Sequence, residues 1–303
     1  MRRLDPSELF ELDPDRPLLD KPVLVQALDG FIDAGGAKRL LREHLLATYT
    51  SQVVVTFDVD QLLDYRARRP IMLFVEDHWE KYEDPQLAVH LLHDDVGTAF
   101  LVLSGPEPDV QWERFASAIQ LIVDRLGVRL TVGLNAIPMA VPHTRPTGVI
   151  AHGSRPELVA GYEPWINSVQ VPGTAGHLIE YRLGTSGHDA MGFAVHVPHY
   201  VAQAEYPAAA SALLAEVVKA TGLSLSLNAL DEAAATTRQA IDEQVQDSPE
   251  IAGVVQALEE QYDAFVGGRN ASLLVGDTPL PTADELGAEL ERFLAEQHQD
   301  PPG

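Results

Sequence analysis

Two proline-flanked segments carry the histidines best suited to acid–base or binding chemistry. In residues 142–146, with the sequence PHTRP, His143 stands near Arg145 just past an apolar, strand-like run. Histidine titrates near neutral pH, and a guanidinium binds carboxylates or phosphates through paired hydrogen bonds. The two prolines fix the loop, which suits a positioned proton donor and anion clamp and equally suits a rigid structural turn. Both interpretations stay open.

The second segment, HVPHY, places His196 and His199 three residues apart. His199 is the most plausible second imidazole beside His143, so these two residues are the candidate catalytic pair. The proline between His196 and His199 interrupts strand alternation, so the relative direction of the two side chains cannot be inferred. The chain has no cysteine, and any transition-metal site would need imidazoles and carboxylates. No metalloprotease-like spacing occurs, and we predict neither a metal nor a cofactor.

A glycine-containing segment, DGFIDAGG over residues 29–36, joins an apolar strand to a helix. Free N–H groups at a helix start favour anions, but Asp29 and Asp33 stand beside them. The spacing fits neither the dinucleotide fingerprint nor the phosphate-binding loop. The two carboxylates are expected either to cap the helix or to bind a hydroxylated or cationic group.

A hydroxyl lies close to a histidine in GTSGH, residues 184–188. Ser186 and His188 suggest a nucleophile, but the segment lacks the GxSxG elbow that exposes a catalytic serine. A tight turn against a sheet uses the same residues, and we favour the turn.

The elements that position these residues alternate between strands and helices. Strands are expected at 22–28, 53–57, 100–103, 128–134 and 148–152, with extended chain over 179–199. Helices are expected at 35–48, at 112–126 with Asp109 as its cap, and from Pro207 to Gly222. Alternation of this kind predicts an α/β fold with a mostly parallel sheet flanked by helices. Ligands of such sheets bind beyond the carboxyl ends of the strands.

The predicted organisation has three parts: an acidic, proline-rich leader (1–21), an α/β core (22–228) and an acidic all-helical subdomain (229–303). Within the core, residues 71–94 are expected to pair as one hairpin with apolar residues on both faces. The second face needs a partner, which predicts self-association, with a homotrimer favoured. The tail should form helices at 230–245, 249–266 and 283–296, which have to pack on the core.

The net charge of −24 excludes several classes of partner. Nucleic acids and anionic membranes are bound by basic surfaces, so neither is expected. No apolar run approaches the roughly 18 residues of a membrane span, and no secretory leader is visible, which predicts the cytoplasm. The acidity fits solvated helix faces or a docking surface for a basic protein.

Three segments together resemble the proteasome assembly chaperone 2-like family: residues 30–35, residues 142–146, and residues 184–209 from GTSGHD to YPAA. The similarity is greatest to an actinobacterial branch of uncharacterised proteins with a helical C-terminal extension. The resemblance implies a phosphorylase/hydrolase-like α/β core and a helical tail that forms a lid over the crevice. It also implies protein binding, since other members act in proteasome assembly.

Two functions therefore remain in competition. The first is a protein-binding or assembly role without chemistry. The second is a small-molecule-binding hydrolase- or phosphorylase-like enzyme whose pocket lies under the C-terminal helices and takes an anionic ligand. Its predicted binding residues, at or just past strand ends, are Asp29, Asp33, Glu107, Asn135, Arg145 and His196. A fold shared with phosphorylases does not transfer their chemistry.

Overall fold

A computed structural model describes residues 4–162 and 168–267. Within them the strands are β1 (Phe10–Leu12), β2 (Val23–Asp29), β3 (Gln52–Phe57), β4 (Met72–Val75), β5 (His78–Tyr82), β6 (Ala88–His93), β7 (Ala99–Pro106), β8 (Leu130–Met139), β9 (Val149–Gly153) and β10 (Ala190–Pro198). The α-helices are α1 (Ala37–Thr48), α2 (Trp112–Leu126), α3 (Ala175–Thr185), α4 (Pro207–Thr221), α5 (Asn228–Asp247) and α6 (Pro249–Val266).

Eight strands form one mixed sheet in the order β1-β3-β6-β7-β2-β8-β10-β9. Its centre, β7-β2-β8-β10, is parallel, and the strands on either side join it antiparallel. The predicted α/β class is therefore confirmed, with a large sheet flanked by helices and followed by C-terminal helices. The predicted leader contributes the edge strand β1, which pairs with β3.

The sheet is covered on both faces because its central strands are apolar on both sides. In β2, Val23, Val25 and Ala27 pack on the side of α1, α4 and α5, whereas Leu24 and Leu28 pack on the side of α2 and α3. Gln26 shares the second side with these leucines and is also buried. A buried amide in an apolar strand needs polar neighbours, and Gln26 finds them in a polar cavity between α3 and the sheet.

The neighbouring strands β2 and β7 send their crossover helices to opposite faces of the sheet. Helix α1 follows β2 on one face, and α2 follows β7 on the other. A crevice opens where the carboxyl ends of such strands diverge. In this protein the residues around that crevice come from β2, β8, the segment after β7, and the start of α3.

The prediction that residues 71–94 pair as one hairpin is wrong. Strands β4 and β5 form a separate two-stranded sheet closed by the turn at Glu76 and Asp77. Strand β6 instead enters the large sheet between β3 and β7. The physical reason is burial: β6 is apolar on both faces and is covered on both, while β5 reads HWEKY and remains exposed.

Two further expectations are corrected. The chain over 179–199 is not extended throughout, because α3 occupies its first part, with Thr174 capping the N–H of His177 at 3.1 Å. Asp109 does not cap α2. Its carboxylate accepts the N–H of Asp64 and pairs with Arg68, and Gln111 occupies the cap position with φ +59°.

The first two tail helices are confirmed as α5 and α6. Ser248 caps α6 by accepting the N–H of Ile251, and Pro249 occupies its first turn. Helix α5 packs against α4, and Leu230 joins the core below it. The third expected helix, at 283–296, lies outside the described residues. No helix among the described residues is long and apolar enough to cross a membrane.

Candidate functional site

The predicted site residues do not converge in one cleft. His143 and Arg145 contact the tail helices, and His196 is buried in β10 against Gly148, the residue before β9. Asp29 and Asp33 serve the start of α1. Glu107 and Asn135 line a separate polar cavity at the carboxyl ends of the central strands.

His143 is held from both sides by hydrogen bonds. Its Nδ1 lies 2.6 Å from the hydroxyl of Tyr200, which also accepts the His143 N–H at 2.8 Å, and its Nε2 lies 3.0 Å from Asp242 of α5. Burial raises the pKa of Tyr200 to about 12, so its hydroxyl stays protonated. Tyr200 also contacts the ring of His199, which is exposed.

The loop after β8 is joined to α6 by ion pairs. Arg145 donates to Asp263 at 2.7 and 2.9 Å and to Glu259 at 3.2 Å, and Thr144 donates to the same Glu259. The Asp263 carboxylate raises the pKa of the Arg145 guanidinium. With two carboxylates already bound, Arg145 has little capacity to clamp a further anion. A cavity of about 530 Å³ remains between this loop and α5.

Arg145→Ala is expected to loosen α6 without unfolding the core. Because the pairs to α6 are partly exposed, proteolytic cleavage after Tyr262 or Phe265 should accelerate only roughly two- to fivefold. Limited chymotrypsin digestion followed by mass spectrometry measures this rate. Arg238→Ala, which removes a 3.8 Å pair within α5, is the matched control. Equal cleavage of both variants would contradict an anchoring role for Arg145.

The contacts of His196, Asp29 and Asp33 are typical of structural residues. Burial lowers the pKa of His196 to about 4, and a Cβ on Gly148 would lie 2.7 Å from its Nδ1. Asp33 accepts the N–H groups of Lys38 and Arg39 at 2.8 and 3.0 Å, which caps the helix start. Asp29 forms an ion pair with Arg42. The capping alternative considered for Asp33 is thus what the structure uses.

Ser186 lies at the end of α3, where its hydroxyl donates to the carbonyls of Arg182 and Leu183. His188 Nδ1 is 3.1 Å from this hydroxyl, and Nε2 is 2.8 Å from Asp124. Although the three residues form a chain, the carbonyl end of a helix carries partial negative charge and opposes an oxyanion. This geometry supports a structural turn.

The polar cavity between α3 and the sheet contains the most unusual group of side chains. Sequence reasoning found Glu107 and Asn135 but missed the others: Gln26, Lys38, His152, His177 and Glu180. Glycines provide the space that these side chains occupy. A Cβ on Gly176 would lie 2.2 Å from Gln26 Nε2, and one on Gly192 would lie 2.4 Å from His152 Cε1. These close contacts identify the cavity, but they join residues that are distant in sequence and so cannot be predicted from the sequence.

Hydrogen bonds fix most of this group. Glu107 accepts the N–H of Ala175 at the start of α3, and the Asn135 amide lies 2.5 Å from His177 Nε2. His152 Nδ1 lies 2.8 Å from Glu180. Burial, and next the neighbouring His152, lower the pKa of His177, which keeps its imidazole neutral. Among the described residues, no three histidine, aspartate or glutamate side chains are grouped so that they could hold a metal ion.

Lys38 supplies the cation of this cavity and is only 5% exposed. Burial lowers the pKa of its ammonium, and the carboxylates of Asp33, Asp29 and Glu107 oppose that effect. Such a lysine is unusual because a buried charge is costly unless it is paired. The arrangement can hold a polar ligand between the Lys38 cation, the Glu107 carboxylate and the neutral imidazole of His177.

Comparisons with known proteins agree with the described fold. The sequence profile of the PAC2 family matches residues 27–245. A Mycobacterium tuberculosis protein of unknown function is 50% identical, with 88% of this chain and 94% of that chain covered and a TM-score of 0.82. A Corynebacterium glutamicum protein of unknown function is 37% identical, covering 86% and 98%, with a TM-score of 0.81.

A third solved structure, a proteasome-assembly chaperone homologue of Mycobacterium tuberculosis, is 25% identical. The alignment covers 77% of this chain and 99% of that chain, with a TM-score of 0.71. No curated protein matches the chain. These three structural relatives therefore share the α/β architecture, and the third is a homologue of a proteasome-assembly chaperone.

Proposed function

The chain belongs to the PAC2 family, and from this membership we propose that it is a protein-binding assembly factor. Its relation to a proteasome-assembly chaperone homologue supports an assembly-chaperone-like role. The contact surface in this proposal is the hairpin of β4 and β5 with the residue that precedes it. The absence of cysteine is compatible with action in the cytoplasm.

The exposed apolar surface of this hairpin is the observation that carries the proposal. Its large side chains are between 45% and 68% exposed: Ile71, Met72, Leu73, Phe74, Trp79 and Tyr82. Phe74 and Trp79 form its centre, with their ring centroids 5.0 Å apart and at 71°. Contiguous apolar patches on a protein surface mark interaction sites. Aromatic side chains in particular contribute most of the binding free energy at such sites.

The partner that we propose for the hairpin is a second copy of the chain. The turn carries the exposed acids Glu76 and Asp77, and the segment preceding the hairpin carries the exposed Arg66 and Arg69. In the proposed head-to-tail contact, the acidic tip of one subunit pairs with Arg69 at the base of the next, where Arg66 is already paired with Asp64. Head-to-tail contacts form a ring when the rotation between subunits closes and an open filament when it does not, and we propose a closed ring of three subunits.

Replacing Phe74 and Trp79 together by serine is expected to abolish assembly. Sedimentation velocity at micromolar concentration should show the unmodified protein at three times its 33.0 kDa subunit mass. The double variant should sediment as a monomer, because the loss of two aromatic anchors raises the dissociation constant by at least about 100-fold. Val96→Ser removes an apolar side chain elsewhere that is 76% exposed and should leave the trimer intact.

Two results would overturn the proposal. A monomeric unmodified protein at these concentrations would remove the self-association step. Failure of the unmodified protein to bind purified proteasome α and β subunits would remove the assembly role. In a supporting result, the unmodified protein binds those subunits and the Phe74/Trp79 variant does not.

The alternative enzyme function has one observation in its favour, the cavity of about 530 Å³ between the His143 loop and α5. Its proposed anion clamp, Arg145, is already paired with α6. Retention of an anionic small molecule by the purified protein, measured by native mass spectrometry and lost in Arg145→Ala, would favour this alternative.

A further inference from the structure

Lys38 lies in the polar cavity, and none of the described residues is a direct partner for its ammonium. Across residues 4–162 and 168–267 it forms no side-chain hydrogen bond and no ion pair within 4.0 Å, although it is only 5% exposed. Surface lysines are solvated and buried lysines are usually paired. A lysine that is neither has been positioned toward something that enters the cavity.

The space in front of this ammonium is defined by Gly30. A Cβ placed on Gly30 would lie 3.6 Å from Lys38 Nζ and 3.2 Å from Glu107 Oε2. Both atoms therefore face one point, yet no ion pair joins them. The gap accommodates one small group that contacts the amine on one side and the carboxylate on the other. Glu107 is fixed in this position, because its other oxygen accepts the N–H of Ala175.

The surroundings of Lys38 favour a reactive amine. Burial lowers the pKa of the ammonium, which increases the fraction present as the neutral, nucleophilic form. Arg42 on the same helix acts in the same direction, while Asp33, Asp29 and Glu107 act in the opposite direction. The neighbouring His177 is neutral and accepts a hydrogen bond from Asn135, so it does not compete for the carboxylate of Glu107.

From this geometry we propose that the cavity is a carbonyl-binding site at which the Lys38 amine condenses with a small aldehyde or ketone. Lys38 Nζ attacks the carbonyl carbon, and a proton moves from nitrogen to oxygen to give a carbinolamine. Glu107, which carries the proton released when the Lys38 ammonium becomes an amine, donates that proton to the departing hydroxyl group. Water then leaves and a protonated carbon–nitrogen double bond forms. Addition of water reverses every step, so the condensation needs no oxidant or reductant.

The cavity limits the size of the reacting group. The volume that the centre of a water molecule can occupy in the cavity is about 20 Å³, which is close to what one water requires. Only a terminal carbonyl group enters, and the remainder of the molecule lies at the rim. Phe31 and Ile32 line that rim and are exposed, so an apolar or short substituent is the one accommodated there.

The chain offers an unusually clear test because it contains four lysines, Lys21, Lys38, Lys81 and Lys219. All except Lys38 are exposed. The full chain is incubated with glycolaldehyde and cyanoborohydride near pH 7, digested, and each lysine is quantified by mass spectrometry. Lys38 is expected to carry at least about tenfold more hydroxyethyl adduct than any exposed lysine, because its lowered pKa leaves more of the amine neutral and nucleophilic near pH 7.

Two variants separate chemistry from accessibility. Gly30→Ala keeps Lys38 and inserts a methyl group into the gap, so labelling of Lys38 should fall about tenfold while the exposed lysines are unchanged. Glu107→Gln removes the proton donor and also a charge that raises the pKa of Lys38. Slower labelling of Lys38, with Lys81 and Lys219 unchanged, would therefore show that proton donation outweighs the effect of the charge. Labelling of Lys38 at or below the level of the exposed lysines, or equal labelling in Gly30→Ala, would overturn the proposal.

Discussion

Gly105→Ala is expected to lower the free energy of unfolding by roughly 3–5 kcal/mol. Gly105 lies near the end of β7 with φ +124°, a conformation that side chains with a Cβ rarely adopt. A Cβ there would lie 2.2 Å from the carbonyl oxygen of Gln86 and 2.7 Å from Leu87 Cα. Both obstacles are backbone atoms of the chain entering β6, so no rotamer change relieves the overlap.

Urea unfolding at neutral pH measures this difference, and Gly97→Ala is the matched control. Gly97 also has a positive φ, +86°, but no atom lies within 4 Å of the point that its Cβ would occupy. That variant should lose only about 1 kcal/mol, the cost of the left-handed conformation alone. Equal losses in the two variants would mean that the contact with Gln86 relaxes at little cost.

Gly105 also connects the two proposed functional regions. It stands two residues before Glu107 of the polar cavity, while Pro106 lies beside Ile71 and Pro85 at the base of the hairpin. The close approach of β7 to Gln86 therefore positions both the Glu107 carboxylate and the base of the hairpin of β4 and β5. A soluble, partly destabilised Gly105→Ala protein should lose Lys38 labelling and trimer formation together.

Local sequence patterns are sufficient to predict most of the core. The apolar run of β2 and the helical stripes of α2 and α4 predict buried elements, because their period matches the geometry of the element. The cap and proline at Ser248 and Pro249 place the start of α6 correctly. These features depend on neighbours within a few residues, and they can be read from the sequence for that reason.

Features set by distant parts of the chain cannot be read in this way. The partner of β6 is β7, not the adjacent β5, because only insertion into the large sheet covers both faces of β6. The segment that forms α3 contains several glycines, which favour an extended interpretation. Its helix is capped by Thr174 and packs on the sheet beside α2.

The polar cavity illustrates the same limit. Gln26, Asn135 and His177 are far apart in sequence and meet only because β2 and β8 are neighbours under α3. In the sequence, Lys38 has the pattern of an ordinary residue of an amphipathic helix. The strand ends do carry polar side chains, but the loop after β8 turns toward the tail helices, whereas the cavity lies on the α3 side of the sheet.

His196 and His199 show how a few residues of offset decide the role of an imidazole. Strand β10 ends at Pro198, so His196 still alternates into the sheet and is 5% exposed, whereas His199 begins a short helical turn and is exposed. The pH dependence of stability should therefore follow the buried His196.

Folding stability is expected to fall between pH 6.5 and pH 4, with His196 as a main contributor. Burial lowers the pKa of His196 from 6.5 to about 4, so in this interval the unfolded chain binds a proton that the folded chain does not. Stability is therefore complete above pH 6.5 and decreases as the pH falls, by about 3 kcal/mol at pH 4. Burial shifts the pKa values of His90 and His177 in the same direction and adds to the decrease.

His196→Gln should flatten this pH dependence, and His199→Gln should leave it as in the unmodified protein. The quantity compared is the slope of the free energy of unfolding against pH, between pH 7.5 and pH 4.5. Absolute stability is not compared, because removing a buried ring also leaves a small packing defect. Urea unfolding at several pH values gives each slope. An unchanged slope in His196→Gln would mean that the folded protein admits a proton to this imidazole, which is incompatible with burial as the cause of its low pKa.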